Sequence, residues 1–170
     1  KFMIEENVLD GVDYVYGAHL ASDIPLGKIA LGSGYRMAAV DKFTINIKGK
    51  GGHGAMPHTT VDAVVVGSEI VTSLQKVVSR RINPLESAVV TIGVFQSGTA
   101  FNIIADTAKI EGTVRTFEDS VRNQIEEEIR AIVKGNTIAA HASYDIDYLR
   151  GYPALNNHQE ETETVAELLS

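Results

Sequence analysis

The order of apolar patterns between Val40 and Arg150 constrains the fold of this chain more strongly than any other feature of its sequence. Along Phe43–Lys48 apolar residues alternate with polar ones, which is typical of a β-strand with one buried face. The same alternation, or a run of β-branched residues, predicts three further strands at Ala88–Phe95, Ile103–Thr116 and Ser143–Leu149.

Two amphipathic helices are predicted between these strands. The first extends from Asp62, a suitable N-cap, to about Arg80, and the second begins at Asp119 or Ser120. Lys134-Gly135 is expected to stop or bend the second helix. Their predicted inward faces share a helical spacing and comprise Ala63, Val66, Ile70, Leu74, Val77, Val121, Ile125, Ile129 and Ile132 or Val133. A second apolar row, Val64, Val71 and Val78, widens the face of the first helix.

The order βαββαβ predicts an α+β fold of the ferredoxin-like kind. Its four strands form an antiparallel sheet, and two helices cover one face. Both helices have a single apolar stripe, so one helix layer is sufficient. The other face of the sheet is expected to be more polar or to meet a partner.

The segments on either side of this unit have patterns of their own. Lys1–Asp10 fits the end of a helix, Val12–Tyr16 a short strand, and the stretch from there to about Ala38 is rich in loops. Tyr152–Asn157 is predicted to be a linker before a last helix. The chain is therefore expected to be a fragment in which a complete small domain is inserted into a larger one.

Composition excludes several classes of function. A net charge of -7 and a pI near 5.2 argue against a nucleic-acid partner, since such proteins need basic groups to neutralise phosphates. The apolar run Ala63–Val66 is far too short for a membrane span. The chain has no cysteine, which excludes cysteine nucleophiles and cysteine metal ligands within it.

The segment Gly49–His58 contains four glycines, one proline and two histidines. Glycine lets another group approach the backbone closely, so we predict a loop that is shaped for such an approach and exposes His53. Two surface imidazoles are the simpler interpretation, and a metal pair would lack a carboxylate nearby in sequence. Gly49, Gly51 and Gly54 also match a dinucleotide-binding pattern, but the next helix begins too late to hold a pyrophosphate, so a nucleotide site is not expected.

Three further residues are candidates for a functional site. His19 follows the predicted strand Val12–Tyr16, a position where α/β enzymes place functional groups, although a lone histidine is more often structural. Asn102 and Arg115 bracket a predicted strand, and an arginine with an amide donor can hold a carboxylate. The simpler explanation is that Asn102 and Arg115 are polar because they lie on a sheet face exposed to solvent.

The sequence resembles the M20 family of metallopeptidases and amidohydrolases, in the branch with hippurate hydrolase and N-acyl-amino-acid amidohydrolases. The resemblance covers nearly the whole chain, and its motifs lie at Asp10–Leu20, Gly49–His58, Leu74–Arg80, Thr99–Asp106 and Glu111–Phe117. It implies a zinc-peptidase-like α/β catalytic domain at residues 1–39 and 153–170 and an inserted lid and dimerisation domain at residues 40–152. In such enzymes the lids of two subunits pair to form a homodimer.

The resemblance also implies a role for each candidate residue. His19 matches a metal ligand of a site with two divalent ions (zinc, manganese, cobalt or nickel). His53 matches a lid histidine that reaches the partner subunit's active site and stabilises the oxyanion. Asn102 and Arg115 match lid residues that hold the substrate carboxylate. His58 belongs to the same motif and is expected to orient the loop.

The function implied is hydrolysis of the amide bond of N-acyl amino acids or small peptides through a metal-activated water, in a cytoplasmic enzyme of EC 3.5.1 type. Most metal ligands would lie outside the chain, so the fragment alone is expected to retain metal poorly and to be inactive. The alternative is a ferredoxin-like module that dimerises or binds and has no chemistry. A segment with further metal ligands in the parent protein would favour the enzyme over this alternative.

Overall fold

The computed structural model describes residues 2–169, with side chains from residue 3 onward. It divides into two compact units, Lys1–Leu31 and Gly32–Ser170, which are described separately. Within the described residues, no helix is both long and apolar enough to cross a membrane.

The first unit contains a short helix, α1 (Phe2–Glu5), and turns that end at Gly11, whose φ is +73°. The predicted strand at Val12–Tyr16 is wrong, because these residues belong to no strand and their larger side chains are exposed. Alternation fixes only the direction of side chains, whereas a strand also needs a hydrogen-bonded neighbour. None of the described residues supplies one for this segment.

Within its described residues, the second unit contains eight strands, three α-helices and a short 3₁₀ helix at Pro57–Thr59. The strands are β1 (Gly34–Met37), β2 (Ala39–Lys48), β3 (Gly52–His53), β4 (Ala88–Ser97), β5 (Ile103–Ile104), β6 (Thr107–Thr116), β7 (Ser143–Arg150) and β8 (Leu155–Asn157). The helices are α2 (Ala63–Arg81), α3 (Asp119–Ala139) and α4 (Gln159–Leu168).

The main sheet has the strand order β4-β6-β2-β7, and every neighbouring pair is antiparallel. The two central strands are therefore the first and third of the βαββαβ unit, as the ferredoxin-like topology requires. The predicted fold class is confirmed. The domain limits at residues 39/40 and 152/153 stay a prediction.

The core lies between this sheet and helices α2 and α3. Every residue predicted for the inner stripe of α2, and Val121, Ile125, Ile129 and Val133 of α3, is buried. Ile132 is only partly buried, and Val64 of the second α2 row is exposed. Asp62 caps α2 as predicted, accepting hydrogen bonds from the backbone nitrogens of Val64 and Val65 at 2.8 and 3.4 Å.

Two predictions of local structure are wrong, and a third, that α3 stops at Gly135, is also wrong, whereas a bend there stays a prediction. Glu118 occupies the N-cap of α3, without a side-chain capping bond, in place of Asp119 or Ser120. The helix also continues through Gly135 to Ala139, since packing of its inner stripe outweighs the low helix propensity of one glycine. Finally, the segments predicted as loop and linker contain β1 and β8, which pair antiparallel with each other.

A buried ion pair joins β2, α3 and the end of β7. The Arg122 guanidinium donates to both carboxylate oxygens of Asp41, with Nε–Oδ2 at 2.9 Å, and to the carbonyl of Gly151 at 3.1 Å. Asp41 also accepts from the Tyr148 hydroxyl and the Gly151 nitrogen, each at 3.1 Å. Burial raises the pKa of the Tyr148 hydroxyl, so this group stays protonated as a donor.

This cluster makes the stability of the fold dependent on pH. Burial alone would raise the pKa of Asp41, but the hydrogen bonds and charge of Arg122 outweigh it and hold the pKa below its usual value. The unfolded chain therefore binds the proton more readily, and the contribution is present above the unfolded pKa of about 3.9 and lost as pH falls through the folded pKa. We expect the free energy of unfolding, measured in urea, to decrease below about pH 5. Asp41→Asn should reduce this slope, and an unchanged slope would contradict the prediction.

The face of the sheet opposite the helices is largely polar, as predicted. Its side chains include Lys42, Thr44, Asn46, Glu111 and Arg115, which alternate with the buried residues of β2 and β6. Chain entry and exit lie together at one end of the sheet. There the Val40 nitrogen donates to the Tyr152 carbonyl at 3.1 Å, and the Gly151 nitrogen donates to the Val40 carbonyl at 2.9 Å.

Candidate functional site

The glycines of the Gly49–His58 segment are required by close approach of the chain to itself. A Cβ atom on Gly51 would lie 2.9 Å from the Ile104 carbonyl oxygen, and one on Gly54 would lie 2.8 Å from that of Asn102. A Cβ on Gly49 would likewise meet the Val61 carbonyl, and one on Gly52 would meet the side-chain methyl of Thr60. The space that the glycines leave is therefore filled by neighbouring protein, which holds the loop in one position.

His53 lies in β3 at the edge of this loop, and its side chain is exposed. Its Nδ1 accepts a hydrogen bond from the backbone nitrogen of Ala55 at 3.1 Å. A neutral imidazole that accepts at Nδ1 carries its proton on Nε2. Within the described residues Nε2 has no partner, so His53 presents a free N–H donor to solvent.

Asn102 lies directly beside His53. The strands β3 and β5 pair antiparallel with His53 opposite Ile103, and the Gly54 nitrogen donates to the Asn102 carbonyl at 2.9 Å. The Asn102 side chain is exposed and makes no hydrogen bond in the part of the chain that the structure describes. The sequence predicted these two residues separately, and the structure brings them together.

Arg115 lies elsewhere, at the other end of β6. Its guanidinium donates to the Thr113 hydroxyl and to the Val114 carbonyl, the latter at 3.1 Å, and among residues 2–169 it has no acidic partner. Arg115 is eight residues along β6 from Thr107, or about 26 Å at roughly 3.3 Å per residue. The structure therefore does not bring Asn102 and Arg115 of one chain together.

Replacing Gly54 with alanine tests the contact between the two loops. The new Cβ would overlap the Asn102 carbonyl, so we expect a loss of about 1–3 kcal/mol of unfolding free energy in urea denaturation. Gly135→Ala is the matched control, because its Cβ meets nothing within 4 Å in α3 and should add about 0.5–1 kcal/mol. Equal effects of the two substitutions would contradict the role of close approach.

The histidines His19 and His58 have few contacts. His19 is exposed, and among the described residues no group of three or more histidine, aspartate or glutamate side chains could hold a metal ion. The His58 side chain makes no hydrogen bond within residues 3–169, and the orienting role expected for it stays a prediction. The hydroxyls of Thr59 and Thr60 stabilise this turn instead, by donating to the Met56 and Pro57 carbonyls at 2.9 and 2.8 Å.

Three of the four strands of the main sheet, the two helices that cover it and the His53 loop together match a known domain. The sequence model of the M20 peptidase dimerisation domain matches residues 39–141, which is more than half of the chain. The chain belongs to the M20 family. The match begins at β2 and ends just after α3, so it includes His53, Asn102 and Arg115 of this M20 dimerisation domain.

Relatives of this M20 chain include several hydrolases. It is 46% identical over 158 residues to the N-acyl-L-amino acid amidohydrolase of Geobacillus stearothermophilus, covering 93% of this chain and 43% of the relative. It is 44% identical over 150 residues to the N-acetyldiaminopimelate deacetylase of Priestia megaterium, covering 88% of this chain and 40% of the relative. The chain thus spans about two fifths of the length of these relatives.

Two solved structures share the fold of this chain. A protein of methicillin-resistant Staphylococcus aureus is 46% identical and superposes with a TM-score of 0.88, covering 98% of this chain and 44% of that one. The YXEP protein of Bacillus subtilis, described as a dinuclear metal-binding peptidase of the M20 family, is 31% identical with a TM-score of 0.73. That comparison covers 98% of this chain and 41% of the Bacillus protein.

Sequence reasoning missed the backbone nitrogen of Ala55, which selects the donor form of His53. Every residue except proline has a backbone N–H group, so the identity of Ala55 does not reveal this hydrogen bond. Pro57 and the glycines indicated only that the segment turns here. The residues around Asp41 were also missed, although Asp41 occupies an inward position in the alternation of β2.

Proposed function

We propose that this chain is the lid of a metal-dependent amidohydrolase that cleaves the amide bond of N-acyl amino acids or small peptides. The observation that carries the proposal is the exposed Nε2–H of His53, held beside Asn102 by the β3–β5 pairing. A fixed donor of this kind can stabilise negative charge on a carbonyl oxygen during acyl transfer. The names of the two bacterial relatives, an amidohydrolase and a deacetylase, support this reaction class.

The residues of this chain alone do not fit a metal centre. His19 is the one ligand that the resemblance assigns here, and residues 2–169 contain no group of three or more histidine, aspartate or glutamate side chains that could hold a metal ion. Divalent ions, supported by the description of the Bacillus relative, would need ligands from the rest of the parent protein. One imidazole ligand does not decide among zinc, manganese, cobalt and nickel.

We also propose that the parent is a homodimer joined through edge strand β4. This strand has ten residues and no charged side chain, whereas the other edge strand, β7, contains Asp145, Asp147 and Arg150. Edge strands that avoid pairing usually have charges, so β4 is the edge suited to a second copy. Exposed Phe95 on β4, and Val64 and Val65 on neighbouring α2, add apolar surface on the helix side of this edge, and exposed Val89 adds apolar surface on the other side.

Activity and metal content of the full-length parent test the enzyme proposal, with this chain as the control. We expect the parent to hydrolyse hippurate or N-acetyl amino acids, a chelator to abolish the activity, and the chain alone to be inactive. A metal-free parent that hydrolyses none of these substrates would overturn the proposal and favour a module that only dimerises. Fractionation of cells would test the cytoplasmic location that we propose for the parent.

A further inference from the structure

The loop pair formed by β3 and β5 presents large apolar side chains to solvent. Phe101 is fully exposed, and Ile103 and Met56 are each 48% exposed. A single exposed apolar side chain is common on protein surfaces, whereas several that adjoin one polar donor indicate a binding surface. We refer to Met56, Phe101 and Ile103 as the apolar tip.

The strand register brings the apolar tip to the His53 imidazole. Ile103 lies directly opposite His53, and residues paired in this way have side chains on the same face with Cβ atoms about 4.5–5.5 Å apart. Phe101 precedes Ile103 in a turn that is closed by a hydrogen bond from the Ile103 nitrogen to the Ala100 carbonyl at 3.3 Å. Met56 closes the turn after His53, since its nitrogen donates to the His53 carbonyl at 2.8 Å. The free Nε2–H of His53 therefore has apolar neighbours on both loops.

The two segments that form the apolar tip contain no lysine or arginine, as residues 51–61 and 87–105 show. An open cleft of about 570 Å³ is lined in part by Phe101 and Ile103. Among the described residues that line it, the one with a charged side chain is the acidic Asp62, which caps α2. The apolar tip is therefore suited to an uncharged apolar group and not to a carboxylate.

These surroundings determine which side of a substrate faces the apolar tip. In an N-acyl amino acid the carbonyl carbon is bonded to the acyl group and to the amide nitrogen, which leads to the carboxylate. A hydrogen bond from the His53 Nε2–H to the carbonyl oxygen holds the first atom of each side within about 5 Å of Nε2. The carboxylate side would lose water beside apolar side chains without a counter-charge, whereas an apolar acyl group gains by leaving water.

We infer that Phe101 and Ile103, with Met56 beside them, hold the acyl group of the substrate and select it by its apolar size. The inference rests on the proposed amidohydrolase function and names the part of the substrate that these residues recognise. That part is an uncharged alkyl or aromatic acyl group larger than acetyl. The amide of Asn102, between Phe101 and Ile103 in sequence, remains available to the rest of the substrate.

A series of acyl chain lengths tests this assignment in the full-length parent. The substrates are N-acetylalanine, N-butanoylalanine and N-hexanoylalanine, which differ only in their number of methylene groups. We expect kcat/KM to rise about twofold per methylene, or about 16-fold from acetyl to hexanoyl, because a fully buried methylene contributes about fourfold and this surface stays partly open to solvent. Phe101→Ala should reduce the hexanoyl-to-acetyl ratio to below about fourfold, and Phe101→Leu should give an intermediate ratio.

Ile138→Ala is the matched control for the Phe101 variants. Ile138 is also an exposed apolar residue, but it lies near the end of α3 and should leave the hexanoyl-to-acetyl ratio unchanged. Partial unfolding or a loss of bound metal lowers kcat/KM for all three substrates alike. A change in the ratio therefore reports contact with the acyl chain and not a general loss of active enzyme.

The outcomes separate this inference from the proposed function. An active parent whose kcat/KM does not depend on acyl length, or whose ratio is unchanged by Phe101→Ala, would overturn the inference and leave the proposed reaction standing. Loss of the dimer in that variant with an unchanged ratio, measured by sedimentation, would assign the apolar tip to a contact between subunits instead. A parent that hydrolyses no N-acyl amino acid would overturn the proposed function and the inference with it.

Discussion

Replacing His53 with alanine in the full-length parent is expected to lower kcat by roughly 10²–10³, the usual effect of removing one oxyanion donor. The structure gives the reason, since the Ala55 nitrogen occupies Nδ1 and leaves Nε2–H free beside Asn102. Steady-state kinetics with N-acetyl amino acids would measure the change. The metal content, measured on the same preparation, should be unchanged.

His58→Ala is the matched control for this prediction. His58 lies in the same loop and is exposed, but its side chain makes no hydrogen bond within the described residues. We expect kcat to change by less than about threefold, as for surface substitutions in general. A loss of bound metal in the His53 variant would make His53 a ligand, and equal losses of kcat in both variants would contradict the donor role.

Replacing Asp41 with asparagine is expected to lower the free energy of unfolding of this chain by about 3–5 kcal/mol. The substitution leaves the buried guanidinium of Arg122 without its counter-charge, and desolvating an unpaired charge is costly. Urea denaturation at pH 7 would measure the change. Lys42→Ala is the control, because Lys42 is exposed and its pair with Glu111 lies on the polar face of the sheet, so its loss should have a much smaller effect.

A double variant separates the ion pair from the other bonds of the cluster. Asp41→Leu with Arg122→Met should be less destabilising than the sum of the single changes, since neither charge is then left unpaired. It should not reach wild-type stability, because the Tyr148 hydroxyl and the Gly151 nitrogen lose their acceptor. Additive effects of the two single substitutions would show that the charges do not interact.

The regular elements of the lid could be predicted because their signals are local. In α2 the apolar spacing from Ala63 to Val77 matches the buried stripe, and Asp62 is a cap that the sequence identifies by type and position. The alternation in β2 and β6 likewise fixed which residues face the helices. Such patterns depend only on neighbours along the chain, so a single sequence contains them.

The features that could not be predicted depend on residues far apart in the chain. The pairing of β1 with β8 joins segments more than a hundred residues apart, and neither three- or four-residue strand has a periodicity of its own. The candidate residues Asn102 and Arg115 were predicted by type, but the length of β6 that separates them is a property of the sheet. Their assignment to substrate binding stays a prediction.

The hydrogen bonds that join Val40 to Gly151 and Tyr152 have a consequence for exchange of this domain between proteins. The first and last strands of this domain begin and end side by side, so the domain connects the flanking segments over the short distance that a tight turn would span. A short turn could replace it without moving the flanking segments, and a different host could accept it in exchange for a surface loop. A lid of this kind could therefore be inserted into another protein without a change in the path of the host's own chain.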